Sequence, residues 1–243
     1  MRFNIGVKEA QYIQKSFKFS PLIGLDRVLF APLGVEKKLI SEGVIKQGHS
    51  GAKELDTTYR YLFSAWEKMR YSIVNPNREK DENFFCVLSN ENEILLIEQD
   101  AHTLSIELID FKIEIMDNII TNMLKTENEI SCNSTPYNIA LSMKDFSEFL
   151  VCRTKGSLNE WSGKLGLSED EISSFLNYIN DENSFTMLLC EDHIQGIGML
   201  LKTVPTNQGI YALKHITPKD LRKEKMVLLK GNLQNIVDSV YVF

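Results

Sequence analysis

Phe84-Phe85-Cys86-Val87-Leu88 is an apolar run that a polar turn joins to a second apolar run at residues 94–97. Farther along the chain, Phe185-Thr186-Met187-Leu188-Leu189 has the same form and is followed by its own turn and by residues 194–201. Two apolar runs joined by a polar turn predict a β-hairpin. We therefore expect one hairpin in each half of the chain, and a fold that is built twice.

The beginning of each predicted half repeats as well. Phe3-Asn4-Ile5 opens a strand that leads into a helix at residues 7–17, and Tyr137-Asn138-Ile139 opens a strand that leads into a helix at residues 143–150. Each half then has a third alternating strand and ends in an amphipathic helix. The predicted fold class is α+β, with a quasi-two-fold duplicated unit. The alternative is that two unrelated α+β segments look alike.

The predicted domain organisation follows from one polar segment. Residues 127–136 are polar and end in proline, which is typical of a linker. We expect an N-terminal α+β half at residues 1–126 and a C-terminal α+β half at residues 137–243. The two halves are expected to share one sheet in a compact domain.

Helical periodicity predicts three further elements. Residues 55–73 carry apolar side chains at steps of three and four, which predicts one long helix. Ser168-Glu169-Asp170-Glu171 has the spacing of a capping box and predicts a helix start. Thr217-Pro218 predicts another helix start, and residues 229–240 predict the final amphipathic helix.

Composition narrows the function classes. The chain has 243 residues, a net charge of −6 and a hydrophobic fraction of 43%, with 13 Phe and 8 Tyr. This is enough apolar material for a packed interior. Nucleic-acid binders normally present a basic face, so the acidic balance argues against nucleic acid and against an anionic membrane surface as partner.

The cellular location of the protein and the state of its cysteines are predicted from motifs that the sequence lacks. No apolar run approaches the roughly 20 residues that cross a bilayer, and the N-terminus has no signal-peptide core. We expect a cytoplasmic protein without stable membrane insertion. The four cysteines have no CxxC spacing; Cys86 and Cys190 lie in or beside apolar runs, where a free cysteine behaves as a small hydrophobe.

Catalytic and cofactor motifs are weak in this sequence. Gly196-Ile197-Gly198 lacks the third glycine of a dinucleotide loop and lies in a predicted strand, which favours a twisted strand. Glu191-Asp192-His193 could ligate a metal, but such a triplet is more often a solvated hairpin tip. Cys152 next to Arg153 is a weak candidate nucleophile. We expect no catalytic, cofactor-binding or metal-binding residues, and not an enzyme.

Partner binding is therefore the predicted activity. The strand Gly196, Ile197, Gly198 and Met199 is apolar and poorly shielded by its small residues, which indicates a contact surface. Trp161 and Phe175 lie on predicted helices of the same half and are the other candidate contact residues. For each of these residues, burial in the core is the alternative interpretation.

Three stretches of the chain resemble the EspG-like family of type VII (ESX) secretion chaperones. Val35-Glu36-Lys37-Lys38-Leu39-Ile40-Ser41-Glu42-Gly43-Val44-Ile45 resembles the family's helix that ends in glycine before an apolar pair. The hairpin at residues 84–98 is the second stretch. Gly209-Ile210-Tyr211-Ala212-Leu213-Lys214-His215-Ile216-Thr217-Pro218-Lys219-Asp220-Leu221 resembles the family's strand that enters a Pro-Xaa-Asp helix start. Within the family, the chain resembles the firmicute branch typified by EsaE. It departs from the mycobacterial members in lacking their Gly/Pro/Arg-rich strand flanks.

The resemblance implies a central antiparallel sheet flanked by two helical bundles. It implies a cytosolic chaperone or adaptor that binds a type VII secretion substrate, keeps it soluble and targets it to the secretion machine. The implied partner is a secreted toxin or a WXG100-like helical hairpin, and the secretion ATPase is a candidate second partner. No cofactor is implied.

Two alternatives remain open from the sequence. An immunity protein that neutralises a secreted toxin would share the acidic charge and the lack of catalytic motifs. An enzyme with an unrecognised site would have to use Glu191-Asp192-His193 or Cys152.

Overall fold

A computed structural model shows two sets of strands in this chain, and both sets have the same strand order. The structure describes residues 1–25, 34–48, 52–75, 84–100, 102–124, 135–152, 154–179 and 186–241. The chain divides into two compact units. Unit 1 comprises Met1–Val74 and Arg78–Lys112, and unit 2 comprises Asn75–Asn77 and Ile113–Phe243.

Unit 1 contains three helices and seven strands within its described residues. They are β1 (Arg2–Gly6), α1 (Val7–Ser16), α2 (Val35–Ser41), β2 (Ile45–Gln47), β3 (Lys53–Leu55), α3 (Thr57–Glu67), β4 (Tyr71–Val74), β5 (Phe84–Ser89), β6 (Glu93–Gln99) and β7 (Thr103–Asp110). Five strands pair antiparallel in the order β1-β7-β6-β5-β4, with Phe3 opposite Ile106. The short strands β2 and β3 pair separately.

The three helices of unit 1 cover one face of its strands. Leu104 and Ile106 of β7 are buried on that face, because alternate residues of a strand point to the same side. They belong to the same apolar core as Phe63 and Trp66 of α3, whose ring centroids are 6.0 Å apart. Trp66 Nε1 donates a hydrogen bond of 3.0 Å to the carbonyl oxygen of Ile23, so this buried indole is satisfied.

Unit 2 contains the remaining elements. They are α4 (Ile113–Met123), β8 (Tyr137–Ser142), α5 (Met143–Leu150), α6 (Lys155–Leu165), α7 (Glu169–Ile179), β9 (Thr186–Asp192), β10 (Ile197–Thr206), β11 (Gly209–Thr217), a 3-10 helix (Leu221–Lys223), β12 (Lys225–Gly231) and α8 (Leu233–Val240). Five strands pair antiparallel in the order β8-β12-β11-β10-β9.

The strand orders confirm the predicted α+β class and show the duplication as a shared topology. In each unit the first strand pairs with the last one, and the strands before the last form a meander. Three helices lie between the first strand and the meander in each unit, α1 to α3 and α5 to α7. Within the described residues, the β2–β3 hairpin is present in unit 1 and has no counterpart in unit 2.

The strands of unit 2 are packed on both faces. On one face, α5, α6 and α7 form an apolar cluster in which the Phe149 ring lies 5.4 Å from Trp161 and 6.0 Å from Phe175. On the other face lies α8, where Lys214 Nζ of β11 donates a 2.6 Å hydrogen bond to the Ser239 carbonyl oxygen. The predicted capping box of α7 is confirmed, since Glu171 N donates to Ser168 Oγ and Ser168 N donates to Glu171 Oε2.

The predicted helix at residues 55–73 is too long. Asp56 caps the start of α3 by accepting a hydrogen bond from Thr58 N, and α3 ends at Glu67. Residues 71–74 form β4 instead, paired with β5 so that Ile73 lies opposite Val87. The apolar residues continue at helical spacing as far as Ile73 only by coincidence. Pairing with β5 determines that residues 71–74 form a strand.

The predicted helical C-terminus is also corrected. Residues 225–231, which include Leu229, form β12, and α8 begins only at Leu233. Four successive apolar residues, 226–229, suit a strand that is buried on both faces. Thr217 is the last residue of β11, and the helix expected after Thr217-Pro218 is a 3-10 turn of three residues.

These two missed strands change which hairpins correspond. The sequence pairs the hairpin at residues 84–98 with that at residues 185–201. By position in the strand order, β4–β5 corresponds to β9–β10, and β5–β6 corresponds to β10–β11. The prediction was therefore displaced by one strand.

The predicted halves at residues 1–126 and 137–243 remain a proposal about domain organisation. Residues 127–134 of the predicted linker at residues 127–136 lie outside the described residues. The helix α4 belongs to unit 2, where it contacts α8. Tyr241 Oη donates a 2.8 Å hydrogen bond to Asp117 of α4, which reinforces this contact.

Replacing Asn232 by alanine is expected to lower the free energy of unfolding by about 1 kcal/mol. Asn232 accepts a hydrogen bond of 2.9 Å from Asn235 N, and its own amide donates to Asn235 Oδ1 at 3.0 Å. The substitution leaves the backbone amide of Asn235, in the first turn of α8, without its acceptor. Urea denaturation followed by circular dichroism would measure the change. Asn177→Ala, at an exposed position of α7, is the matched control and should shift stability by less than about 0.5 kcal/mol.

Candidate partner-binding surface

The turn between β9 and β10 projects an apolar side chain into solvent. Asp192 is buried, and its Oδ1 accepts hydrogen bonds from Ile194 N at 2.9 Å and Gln195 N at 3.0 Å. Gly196 closes the turn in the left-handed region, with φ of 66°, and its amide donates to the Asp192 carbonyl. This bonding fixes the turn backbone, and the Ile194 side chain is 74% exposed.

A second exposed apolar side chain lies on the segment that follows β11. Gly198 is opposite Thr217 in the β10–β11 pair, so this segment begins beside the turn. A Cβ placed on Gly196 would lie 3.9 Å from Lys219 Cδ, which shows how closely the segment passes. Leu221, in the 3-10 helix, is 66% exposed.

The adjoining strand face is partly apolar as well. Leu189 of β9 is opposite Leu200 of β10, and Leu200 is opposite His215 of β11. Residues that are opposite one another in register share a face, so these three side chains form one row. Leu189 is exposed and Leu200 is half-buried. We call Leu189, Ile194, Gly198, Leu200 and Leu221 the hairpin-end surface.

Strand alternation divides the predicted contact strand. Gly196 lies in the turn, and Ile197 and Gly198 are half-buried at the start of β10. Alternation places Gly198 on the face of Leu200 and Ile197 on the face of Met199. Met199 is buried. Of the four residues of the predicted contact strand, Gly196 and Gly198 adjoin the exposed row of Leu189 and Leu200, while Ile197 and Met199 lie on the other face and the Met199 side chain contributes to the core.

The other two predicted contact residues lie in the helical cluster of unit 2. Trp161 is buried on α6 with the ammonium of Lys164 4.2 Å from its ring centroid, and Phe175 is buried on α7. Both are neighbours of Phe149. In this arrangement they stabilise the core, and a direct contact with a partner would require α6 and α7 to move apart.

The sequence interpretation did not single out Ile194, Leu189 or Leu221. Ile194 follows the polar triplet Glu191-Asp192-His193, and Leu221 follows a turn segment, Pro218-Lys219-Asp220. A single apolar residue after such a turn has no apolar neighbour in the turn to pack against. This pattern could have identified Ile194 and Leu221 as exposed apolar residues. Leu189 could not have been found this way, because it lies in a continuous apolar run.

Unit 1 holds a cleft of about 720 Å³ between α1 and α2. Lys38 Nζ of α2 lies 2.7 Å from Glu9 Oε1 of α1. Burial raises the pKa of the Glu9 carboxyl, but the hydrogen bond and positive charge of Lys38 lower it more, so the net pKa lies below its ordinary value. This pair holds α1 against α2, which favours a structural role.

The candidate catalytic residues, Glu191-Asp192-His193 and Cys152, do not form a recognisable catalytic or metal site in the described part of the chain. The part of the chain that the structure describes holds no group of three or more His, Cys, Asp or Glu side chains placed to bind a metal. Asp192 of the Glu191-Asp192-His193 triplet is used by the turn. Cys86, Cys152 and Cys190 are buried and form no disulfide, and burial raises the pKa of Cys190 to about 12. None of the described helices combines the length and the apolar character that a bilayer crossing needs.

Comparison with known proteins identifies the fold. No protein-family model matches this chain, and no curated protein sequence matches it. Among solved structures, the chain is similar to the type VII secretion system chaperone EspG5 of Mycobacterium tuberculosis, solved in complex with the PE25–PPE41 dimer. The TM-score is 0.60 at 8% identity, and the match covers 99% of this chain and 94% of that chain. The chain therefore has the EspG-like fold that the sequence resemblance implied.

Proposed function

We propose that this protein is a cytoplasmic chaperone or adaptor that binds a type VII secretion substrate, keeps it soluble and targets it to the secretion machine. The observation that carries the proposal is the near-complete structural match to a secretion chaperone, over 99% of this chain. That chaperone was solved with a PE25–PPE41 dimer bound, which supports a secreted protein as the partner class. We place this chain in the EsaE-like branch on the sequence resemblance alone.

The hairpin-end surface supports this function physically. Ile194 and Leu221 are more than half exposed, although both are large aliphatic side chains. Exposed apolar side chains grouped on a fixed backbone are typical of protein-binding sites. The turn is held by Asp192 and needs little reordering when a partner binds, which lowers the entropic cost of association.

The proposed partner is a secreted toxin or a helical-hairpin protein. An exposed apolar stripe on a substrate helix would be covered by Leu189, Ile194 and Leu221, and this contact would keep the substrate from aggregating. The secretion ATPase is a candidate second partner, to which the complex would be delivered.

Co-expression tests the proposal. The tagged chain is produced together with the secreted protein encoded beside it, and the pair is purified by affinity and size-exclusion chromatography. We expect one stable complex, and a larger soluble fraction of the substrate than when it is expressed alone. If the substrate is a toxin, its activity in the complex is assayed as well. Neutralisation without any gain in solubility or export would favour the immunity protein instead.

Substituting Ile194 by aspartate is expected to weaken substrate binding at least about tenfold, as for a residue at the centre of an interface. Leu221→Asp should act in the same direction. Val151→Asp is the matched control, because Val151 is 76% exposed and follows α5, which packs on β8 and β12. Isothermal titration measures all three affinities, and unfolding curves check that each variant is folded. Equal affinities for Ile194→Asp and Val151→Asp would exclude the hairpin-end surface as the binding site.

A further inference from the structure

A cleft in unit 2 contains two polar side chains that are almost completely buried. It has a volume of about 390 Å³, within the range of roughly 300–1,000 Å³ that is usual for small-molecule sites. Tyr211 of β11 and Lys230 of β12 form its inner wall, and they are opposite each other in the strand pair. Tyr211 is 0% exposed and Lys230 is 2% exposed.

The fold leaves the Tyr211 hydroxyl unused and places the Lys230 ammonium over the Tyr211 ring as a cation–π contact. The Tyr211 hydroxyl is buried and has no hydrogen-bond partner among the described residues. Lys230 Nζ lies 4.8 Å from the centroid of the Tyr211 ring, and none of the described carboxylates forms an ion pair with it. A buried hydroxyl is costly unless it is hydrogen-bonded, and a ring face supplies the Lys230 ammonium with no oxygen acceptor. Together they offer several hydrogen-bond donors to one negatively charged acceptor.

The mouth of the cleft has the opposite character. Asp170 and Glu171, in the first turn of α7, line it together with the amides of Asn207 and Gln208. These carboxylates disfavour a purely anionic ligand. They favour a ligand whose carboxylate is accompanied by a positive charge, because the two charges would then face Lys230 and the acidic mouth respectively.

We propose that this cleft binds a small ligand that carries both a carboxylate and a positively charged group, as an amino acid does. The carboxylate accepts hydrogen bonds from Lys230 Nζ and the Tyr211 hydroxyl, and the positive group lies at Asp170 and Glu171. Such a combination of charges has two sources: a free amino acid, or the C-terminal residue of a polypeptide when that residue is basic. The proposal is independent of the hairpin-end surface.

Three small probes test the charge requirement: glycine, acetate and methylammonium. Binding is measured by the shift of the thermal unfolding midpoint and by NMR of ring-labelled tyrosine. We expect glycine to bind more tightly than acetate, and methylammonium not to bind. N-acetyl-lysine, which mimics a basic C-terminal residue, distinguishes the sources. Tighter binding of N-acetyl-lysine than of glycine points to a polypeptide end, and the reverse order points to a free amino acid.

Two conservative substitutions locate the site. Lys230→Met keeps the length of the side chain and should weaken glycine binding at least tenfold. Tyr211→Phe removes only the hydroxyl and should weaken it about threefold to tenfold, which tests the site even if Lys230→Met does not fold. Lys164→Met, at an exposed position of α6, is the control and should bind as the wild type does. Methylammonium binding equal to glycine binding, identical affinities in all variants, or no binding by any probe up to its solubility would overturn the proposal.

Discussion

Replacing Phe149 by alanine is expected to reduce the free energy of unfolding of unit 2 by about 3–5 kcal/mol. The Phe149 side chain is 0% exposed and contacts three aromatic rings, with centroid distances of 5.4 Å to Trp161, 6.0 Å to Phe175 and 6.5 Å to Phe146. Truncation removes these contacts and leaves a cavity that helices fixed to the strands cannot close. Guanidinium denaturation followed by circular dichroism would measure the loss.

The control for this substitution is Val151→Ala, two residues farther along the chain. Val151 is exposed, so its truncation should change stability by less than about 0.5 kcal/mol. A loss of less than about 1 kcal/mol for Phe149→Ala would mean that α5, α6 and α7 are not packed around this ring.

Removing the charge of Lys214 is expected to abolish a rise of stability with pH. Burial lowers the pKa of Lys214 to about 8, from an ordinary value of 10.5. Below about pH 8 both the folded and the unfolded chain hold the proton, and the folded chain bears the full cost of a buried charge. Between these two pKa values the unfolded chain binds more protons, so the free energy of unfolding rises with pH.

The size of this rise follows from the difference between the two pKa values. Each pH unit contributes at most about 1.4 kcal/mol, giving roughly 3 kcal/mol in all. Urea denaturation of the wild type and of Lys214→Met, at steps from pH 7 to pH 11, would measure it as the difference between the two curves. The difference removes the titration of groups that do not interact with Lys214. Burial raises the pKa of Cys190 and the charge of Lys214 partly offsets this, so the comparison is repeated in a Cys190→Ala background. Parallel curves would show that Lys214 keeps its ordinary pKa.

Elements whose signals are local could be predicted from the sequence. The strand and helix that open each half, β1–α1 and β8–α5, follow from short runs of alternating and then helical spacing. The capping box at Ser168 and Glu171 needs only four residues. The strands β4 and β12 could not be predicted, because each is defined by pairing with a distant segment. Helical spacing continued across Ile73 and Leu229 and concealed them.

The candidate sites likewise depend on strand pairing, which the sequence alone does not reveal. The sequence identified the segment that contains Gly196 and Gly198, since small residues in an apolar strand are unusual. It could not assign Met199 to the buried face without the register of β10. The cleft of Tyr211 and Lys230 depends entirely on that kind of information, because the two residues become neighbours only when β11 pairs with β12.

The pairing of the first strand with the last one also determines the order in which each unit can assemble. The amino group of Met1 donates a hydrogen bond to the Leu108 carbonyl oxygen, 107 residues away along the chain. During synthesis, β1 leaves the ribosome long before β7 exists, while β5, β6 and β7 can pair as soon as they emerge. Contacts between such distant segments form late and slow the folding of a domain. A protein proposed to shield the exposed surfaces of another chain therefore has an unpaired strand of its own, β1, until β7 has been synthesised.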